Sequence, residues 1–171
     1  MSGITAAEVG SFFLSLVVPV ITGVIAAGFT ASFALNRFYK EKWWEKKHTA
    51  YNELIDKLFQ VKAIYSHASD FYEAEYKAGA YGTPEPKGSV DWDKYYQLKA
   101  QLHRAYVLAP ISFSQNTKEL LSKFFTKGNE SDYSVYEEGY PDFVAYNDMT
   151  LVTQDLIDAI VMDAEKELKF S

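Results

Sequence analysis

The sequence predicts an all-α protein in which an N-terminal transmembrane helix continues into a cytoplasmic four-helix bundle. Three observations support this fold class. Residues 9–36 contain no charged side chain, apolar residues after residue 48 recur at three- and four-residue spacing, and no strand-like alternation of useful length is present. We therefore expect two domains, an N-terminal transmembrane segment at residues 1–36 and a helical bundle at residues 37–171.

The uncharged stretch from Val9 to Asn36 is long enough to cross a bilayer. A helix of that length spans about 42 Å, whereas about 20 apolar residues already cross the hydrocarbon core. A buried core helix is one alternative, but such helices rarely stay uncharged beyond about 14 residues. A cleaved signal peptide is another, but it needs a basic beginning and a short apolar core. Residues 1–8 carry the acidic Glu8, so a signal anchor is the better interpretation.

Basic and aromatic side chains follow the predicted span directly, and no lysine or arginine precedes it. The positive-inside bias therefore predicts an external N-terminus and a cytoplasmic C-terminal domain at the bacterial inner membrane. Aromatic rings favour the headgroup layer, and long basic side chains can extend towards it. We call this predicted membrane-interface segment the collar, and its members are Arg37, Lys40, Lys42, Trp43, Trp44, Lys46 and Lys47.

The interior of the span contains no ionisable side chain, so a proton relay or an ion-coupled transporter is not expected there. Small residues recur at helical spacing, as in Gly23 with Ala27 and Gly28 with Ser32, and such pairs favour helix association in lipid. A weakly polar stripe either lines a pore in an oligomer or packs against neighbouring helices. Its members are Ser11, Ser15, Thr22, Ala26 and Thr30. Pro19 is expected to kink the helix.

The rest of the chain is predicted to form helices separated by turn-rich segments. One helix leaves the membrane and ends near Lys77 or Ala78, and residues 79–89 form a loop rich in glycine and proline. A second helix runs from about Val90 to Leu108 and is stopped by Pro110. The apolar positions expected in the core are Tyr51, Leu54, Ile55, Leu58, Val61, Tyr65, Ala68 and Tyr72 in the first helix, and Trp92, Tyr95, Tyr96, Leu98, Leu102, Ala105 and Tyr106 in the second.

The third helix is predicted to begin near Ser114 or Asn116, both suitable caps, and to close at Gly128. A polar loop at residues 128–142 follows, and the last helix runs from about Pro141 to Phe170. Its expected core positions, with those of the third helix, are Leu120, Leu121, Phe124, Phe125, Phe143, Met149, Val152, Leu156, Ile160, Ala164 and Leu168.

Composition argues against most reaction chemistry. The chain has no cysteine, three histidines and a net charge of −6, and its only arginines are Arg37 and Arg104. Thiol nucleophiles and thiolate metal sites are therefore excluded, and nucleic-acid binding is not expected of an acidic domain. No phosphate loop, hydrolase elbow or zinc-binding helix motif is present. We expect no cofactor, no metal and no catalytic residue, with His103 as a partly buried packing residue and Arg104 as a salt-bridge donor.

The segment Arg37-Phe-Tyr-Lys-Glu-Lys-Trp-Trp-Glu-Lys-Lys-His-Thr-Ala-Tyr51, followed by Leu54 and Leu58, resembles the membrane junction of small bacterial single-span proteins with a helical cytoplasmic domain. The overall plan is similar to the membrane accessory proteins of type VI-B CRISPR antiviral systems. That resemblance implies a HEPN-like bundle, ring-shaped pores and depolarisation of the inner membrane when phage RNA is sensed. The Arg-to-His motif of HEPN ribonucleases is absent, so no nuclease residue is carried over.

Three functional hypotheses remain open at this point. The first is an oligomeric membrane effector or accessory protein that forms a pore or depolarises the membrane, with lipid, further copies of itself and a defence-system protein as partners. The second is a passive membrane-anchored scaffold that recruits a cytoplasmic partner through its acidic surface and the tyrosine-rich residues 128–142. The third, an enzyme, requires a cofactor that the sequence does not indicate.

Overall fold

The computed structural model describes the backbone of residues 6–169 and the side chains of residues 19, 22–24 and 26–169. Within those residues the chain is all-α, as predicted, with four helices and no strand. The helices are α1 (Ala6–Tyr81), α2 (Trp92–Ser112), α3 (Gln115–Glu138) and α4 (Asp142–Leu168). The chain divides into two compact units, Met1–Glu45 and Lys46–Ser171, and α1 contributes to both.

The first unit consists of the N-terminal part of α1. Its described side chains are exposed from Pro19 onwards except for the half-buried Trp44. In the portion of the chain that the structure describes, no helix combines the length and apolar character needed to cross a bilayer. Pro19 lies inside α1, and the kink expected there stays a prediction.

The second unit is a helical bundle with one apolar core. The spacing in α1 was predicted correctly, because Tyr51, Leu54 and Leu58 are almost completely buried and Ile55 packs partly against them. Apolar residues at that spacing lie on one face of a helix, so burying that face removes them from water together. The fully or largely buried core residues of the other helices are Tyr95, Leu98, Leu102, Ala109, Leu121, Phe124, Ala145, Met149, Leu156, Ile157, Ile160 and Ala164. Tyr96, expected in the core, is instead exposed.

Side-chain caps fix the starts of α2 and α3. The Asp91 carboxylate accepts a hydrogen bond from the Lys94 N–H at 2.9 Å, and the Ser114 hydroxyl accepts one from the Thr117 N–H at 2.9 Å. Each bond satisfies a backbone donor that has no partner in the first helical turn. The predicted cap at Ser114 is therefore confirmed.

Pro110 does not stop α2, which continues to Ser112. A proline in a helix removes one hydrogen bond to the preceding turn and crowds its carbonyl. Here the proline lies in the last turn, and the Phe113 N–H still donates to the Ala109 carbonyl at 2.8 Å. The prediction placed the helix end too early because the proline affects only one bond at this position.

Gly128 does not close α3 either, and the loop predicted at residues 128–142 is mostly helix. The helix passes through Gly128 and ends at Glu138, where Gly139 adopts the left-handed conformation with φ of 71°. The Tyr140 N–H donates to the Ser134 carbonyl at 3.0 Å, which closes the end of the helix. Gly128 is instead buried against α4, because a β-carbon there would lie 3.9 Å from Met149 Cε.

Candidate functional site

The predicted polar stripe lies in the first unit. Ser11 and Ser15 fall outside the residues whose side chains are described. Thr22, Ala26 and Thr30 recur every four residues, so they share one side of α1, and all three are exposed. The Thr30 hydroxyl donates a hydrogen bond to the Ala26 carbonyl at 2.8 Å. One hydroxyl of the stripe is thus satisfied within its own helix.

Gly23 and Gly28 lie about 140° apart around the helix, and each leaves a different side of α1 open to the approach of another helix. A β-carbon built at either position meets nothing within 4 Å. Around the helix, Phe29 lies about 120° and Phe33 about 80° from Gly23. Their side chains are 75% and 76% exposed. This part of α1 therefore presents close-approach positions and uncovered aromatic surface together.

Within the first unit, two basic residues of the collar form ion pairs with acidic residues about one helical turn away. The Arg37 guanidinium donates to Glu41 at 2.8 Å, and the Lys42 ammonium donates to Glu45 at 2.7 Å. The hydrogen bond from Lys42 lowers the pKa of Glu45, and its charge adds to this effect. Such exposed pairs one helical turn apart add little to stability, because water screens the charges. Lys40 is exposed like these residues.

The remaining collar residues differ from one another in burial. Trp43 is exposed and Trp44 is half-buried. Lys46 and Lys47 belong to the second unit. Lys46 is exposed, whereas the Lys47 ammonium forms an ion pair with Glu167 on α4. Contact between the collar and lipid headgroups stays a prediction.

A buried polar network joins α1, α3 and α4 within the second unit, around the carboxylate of Asp163. The Thr117 hydroxyl donates to Asp163 Oδ2 at 2.5 Å, and the Ser114 hydroxyl donates to the same oxygen. The Tyr51 hydroxyl lies 3.4 Å from Thr117 Oγ1 and accepts a hydrogen bond from the Ser114 N–H at 3.2 Å. One side chain from each of α1 and α4 thus meets the first turn of α3.

Burial and hydrogen bonding act on Asp163 in opposite directions. Burial raises the pKa of the carboxyl, but hydrogen bonds from Ser114, Thr117 and Asn116, with the charge of Lys166, hold its pKa below the ordinary value. A carboxylate that accepts several hydrogen bonds is stabilised in its ionised form. Asp163 therefore acts as a charged anchor for the start of α3.

This network was not among the features predicted from the sequence. Asp163 lies three residues after Ile160 and seven after Leu156, so it occupies the same buried side of α4 as these two residues. An acidic residue at a core position of an amphipathic helix is the signal that predicts a buried partner. Its partners lie 46 and 49 residues away in sequence, and nothing local identifies them.

Aromatic side chains form a cluster around Tyr65 in the bundle. The Tyr65 and Tyr95 hydroxyls lie 2.7 Å apart, and both residues are buried. The Tyr146 ring stacks on Tyr65 with centroids 6.1 Å apart, and Trp92 lies 5.2 Å from Tyr146. Burial raises the pKa of Tyr65, and the neighbouring Tyr95 adds to the effect.

An open groove lies between α1 and α2 and has a volume of about 600 Å³. Its walls are mixed, because the charged Glu53, Lys57 and Arg104 stand beside the apolar Leu108 and Phe113. Arg104 is exposed, and the ion pairs found among the described residues do not include it, contrary to the prediction. A second depression continues from the groove along Glu53, Lys57 and Gln101.

The histidines do not assemble into a reaction centre. His48, His67 and His103 are all exposed, so the prediction that His103 is partly buried is wrong. The His103 ring lies on the surface beside Phe125, with centroids 5.7 Å apart. Within the described residues, no group of three histidine or acidic side chains is placed to hold a metal ion.

Comparison of the chain with protein-family models, with curated proteins and with solved structures gave no match.

Proposed function

We propose that this chain is an oligomeric protein of the bacterial inner membrane, with residues 9–36 as its membrane segment and the helical bundle in the cytoplasm. Copies associate through the span and form a pore or otherwise depolarise the membrane. The resemblance to the membrane accessory proteins of type VI-B CRISPR systems suggests that the protein acts as an effector or accessory of antiviral defence. In that setting the bundle corresponds to a HEPN-like domain without nuclease residues.

The observation that carries this proposal is the surface of α1 in the first unit. Large apolar side chains such as Phe29 and Phe33 are uncovered there, while Gly23 and Gly28 leave room for another helix. Uncovered apolar surface of this kind needs lipid or protein around it. Small residues allow helix backbones to approach closely in lipid. In a ring of membrane helices, the glycines would face neighbouring helices and the apolar side chains would be covered by lipid or protein.

The proposed topology is tested first. Full-length protein should sediment with the membrane fraction, and a reporter fused to its C-terminus should be active in the cytoplasm. Recovery of the protein in the supernatant contradicts the membrane assignment. Periplasmic activity of the reporter contradicts the orientation.

Self-association is tested by mass photometry of the detergent-solubilised protein. We expect a defined oligomer that is lost or shifted by Gly23→Leu with Gly28→Leu, because the added side chains keep backbones apart. Phe29→Leu is the matched control, since it keeps an apolar side chain at a position about 100° or more from both glycines around the helix. A monomer for the unaltered chain rules out the oligomeric effector.

A second candidate function is a scaffold tethered by the span. The hydrogen bond from Thr30 to the Ala26 carbonyl favours it, because a hydroxyl satisfied within its helix has less need to face a pore. The exposed Tyr133, Tyr136 and Tyr140 offer a contact surface for a protein partner. Replacing residues 9–36 by an unrelated membrane helix separates the candidates, since a scaffold keeps its function and a pore loses it.

A further inference from the structure

The C-terminal end of α2 presents an apolar surface that the bundle leaves uncovered. Val107 is 61% exposed and Ile111, one turn later, is 77% exposed, with Leu108 beside them. Their spacing places these three residues on one side of the helix. We call Val107, Leu108, Pro110 and Ile111 the α2 ridge, since Pro110 is exposed as well.

The charge pattern around the α2 ridge is unlike that of the rest of the bundle. Residues 105–117 contain no charged side chain, although acidic residues clearly outnumber basic ones after residue 48. The uncharged stretch is bounded by basic residues at both ends, Arg104 and Lys118. Arg104 is exposed and lies three residues before Val107, on the same side of the helix. The Lys118 ammonium lies 6.0 Å from the centre of the Tyr106 ring.

The α2 ridge lies beside the start of the bundle. Phe113 packs edge-on against Tyr51 with ring centroids 5.1 Å apart, and Leu108 and Ala50 line the same groove. Only ten residues of chain, 37–46, separate Lys47 from the end of the uncharged stretch at Asn36. If residues 9–36 are in a bilayer, the ten connecting residues limit the distance between the start of the bundle and the headgroups.

We propose that the α2 ridge docks on the lipid bilayer, with its apolar side chains inserted at the boundary of headgroups and acyl chains. This inference rests on the proposed membrane segment. Apolar side chains bounded by basic ones bind the interface through burial of apolar area and through attraction to lipid phosphates. An acidic surface is repelled by anionic lipid, whereas the ridge is uncharged and the nearby Glu53 is paired with Lys57 at 3.7 Å, so lipid can accept this side of the bundle.

Depth-dependent fluorescence quenching tests this docking. Because the chain has no cysteine, single cysteines can be introduced and labelled with an environment-sensitive dye without background. The labelled variants are Ile111→Cys and Val107→Cys in the ridge, Phe33→Cys in the span, and Tyr133→Cys as an exposed control in α3. Full-length protein is reconstituted in vesicles of phosphatidylethanolamine and phosphatidylglycerol, with and without spin-labelled lipid.

We expect spin-labelled lipid to reduce the emission at Ile111 and Val107 by about half or more, as for side chains buried some 5–10 Å into the interface. Phe33 should be quenched by labels deep in the acyl chains, and Tyr133 should stay unquenched. Circular dichroism of each labelled variant checks that the bundle is intact, and two ridge positions guard against a local disturbance.

The outcomes separate the inference from the proposal on which it rests. Quenching at Phe33 without quenching at either ridge position overturns the docking and leaves the membrane segment in place. A blue shift of the dye emission at Ile111 without quenching indicates that a second copy of the chain covers the ridge. That result also overturns the docking on lipid. Absence of quenching at all positions overturns the membrane segment together with the docking.

Discussion

The Thr117 hydroxyl donates its hydrogen bond to the Asp163 carboxylate at 2.5 Å, although 46 residues separate the two in sequence. Thr117 lies in the first turn of α3 and is fully buried, and Asp163 lies near the end of α4 and is 8% exposed. The pair fixes the start of one helix against the end of another. Because the carboxylate is charged and buried, this contact makes the stability of the bundle depend on pH.

We expect Asp163→Asn to destabilise the bundle by about 2 kcal/mol at pH 7, since the hydroxyls then donate to a neutral amide oxygen and not to a charged carboxylate. The pKa of Asp163 is lower in the folded protein than in the unfolded chain. Its contribution is therefore complete above about pH 4, the ordinary range of an aspartate, and is lost as the pH falls through the folded-state value. Urea unfolding in detergent, followed by circular dichroism at pH 7 and pH 3, measures the difference.

Asp155→Asn is the matched control for Asp163, because it lies on the same helix and is exposed. It should change the free energy of unfolding by no more than about 0.5 kcal/mol at either pH. An equal loss of stability for Asp163→Asn at pH 7 and pH 3 contradicts the assigned role of the charge.

Two glycines of α3 should respond in opposite ways to alanine. Gly128→Ala should stabilise the bundle by about 0.5–1 kcal/mol, because alanine favours a helix and its β-carbon meets Met149 at ordinary contact distance. Gly139→Ala should destabilise it by about 1–2 kcal/mol, because φ is 71° there and a β-carbon strains that conformation. Urea midpoints of the two variants give the signs, and a shift in the same direction for both contradicts the helix boundaries.

The buried hydroxyls of Tyr65 and Tyr95 should be energetically coupled. Tyr65→Phe leaves the Tyr95 hydroxyl buried without this partner, so we expect the free energy of unfolding to fall by about 1–2 kcal/mol. The double variant with Tyr95→Phe should cost less than the sum of the two single variants. The measurement is a double-mutant cycle of unfolding free energies, and additive losses show that the two hydroxyls do not interact.

Substitution in the polar stripe distinguishes a pore from ordinary helix packing. If Ala26 lines a pore, Ala26→Trp should change dye leakage from vesicles severalfold because the larger side chain narrows the path. Ala26→Ser keeps the side chain small and serves as the control. Unchanged leakage with Ala26→Trp, at equal expression and oligomer size, removes the stripe from any conducting path.

The helical periodicity predicted which side of each helix is buried, because burial repeats with the same spacing as the helix. The ends of helices were harder to predict, since Gly128 and Pro110 are local signals whose effect depends on the neighbouring helix. Gly128 stays helical where its missing side chain faces Met149, and Pro110 removes a bond only in the last turn. The partners of Asp163 could not be predicted, because spacing along a chain does not show which side chains from three helices meet.

The connection between α1 and α2 differs from the short turn between α3 and α4. Residues 82–91 are non-helical, and most of their side chains are exposed, with Val90 buried at the far end. Gly82 and Gly88 have positive φ there, so the chain changes direction through residues without side chains. Lengthening a loop of this kind costs little entropy. An affinity epitope or a small fluorescent domain inserted between Pro84 and Lys87 should therefore be tolerated, which gives a handle that leaves both chain termini unmodified.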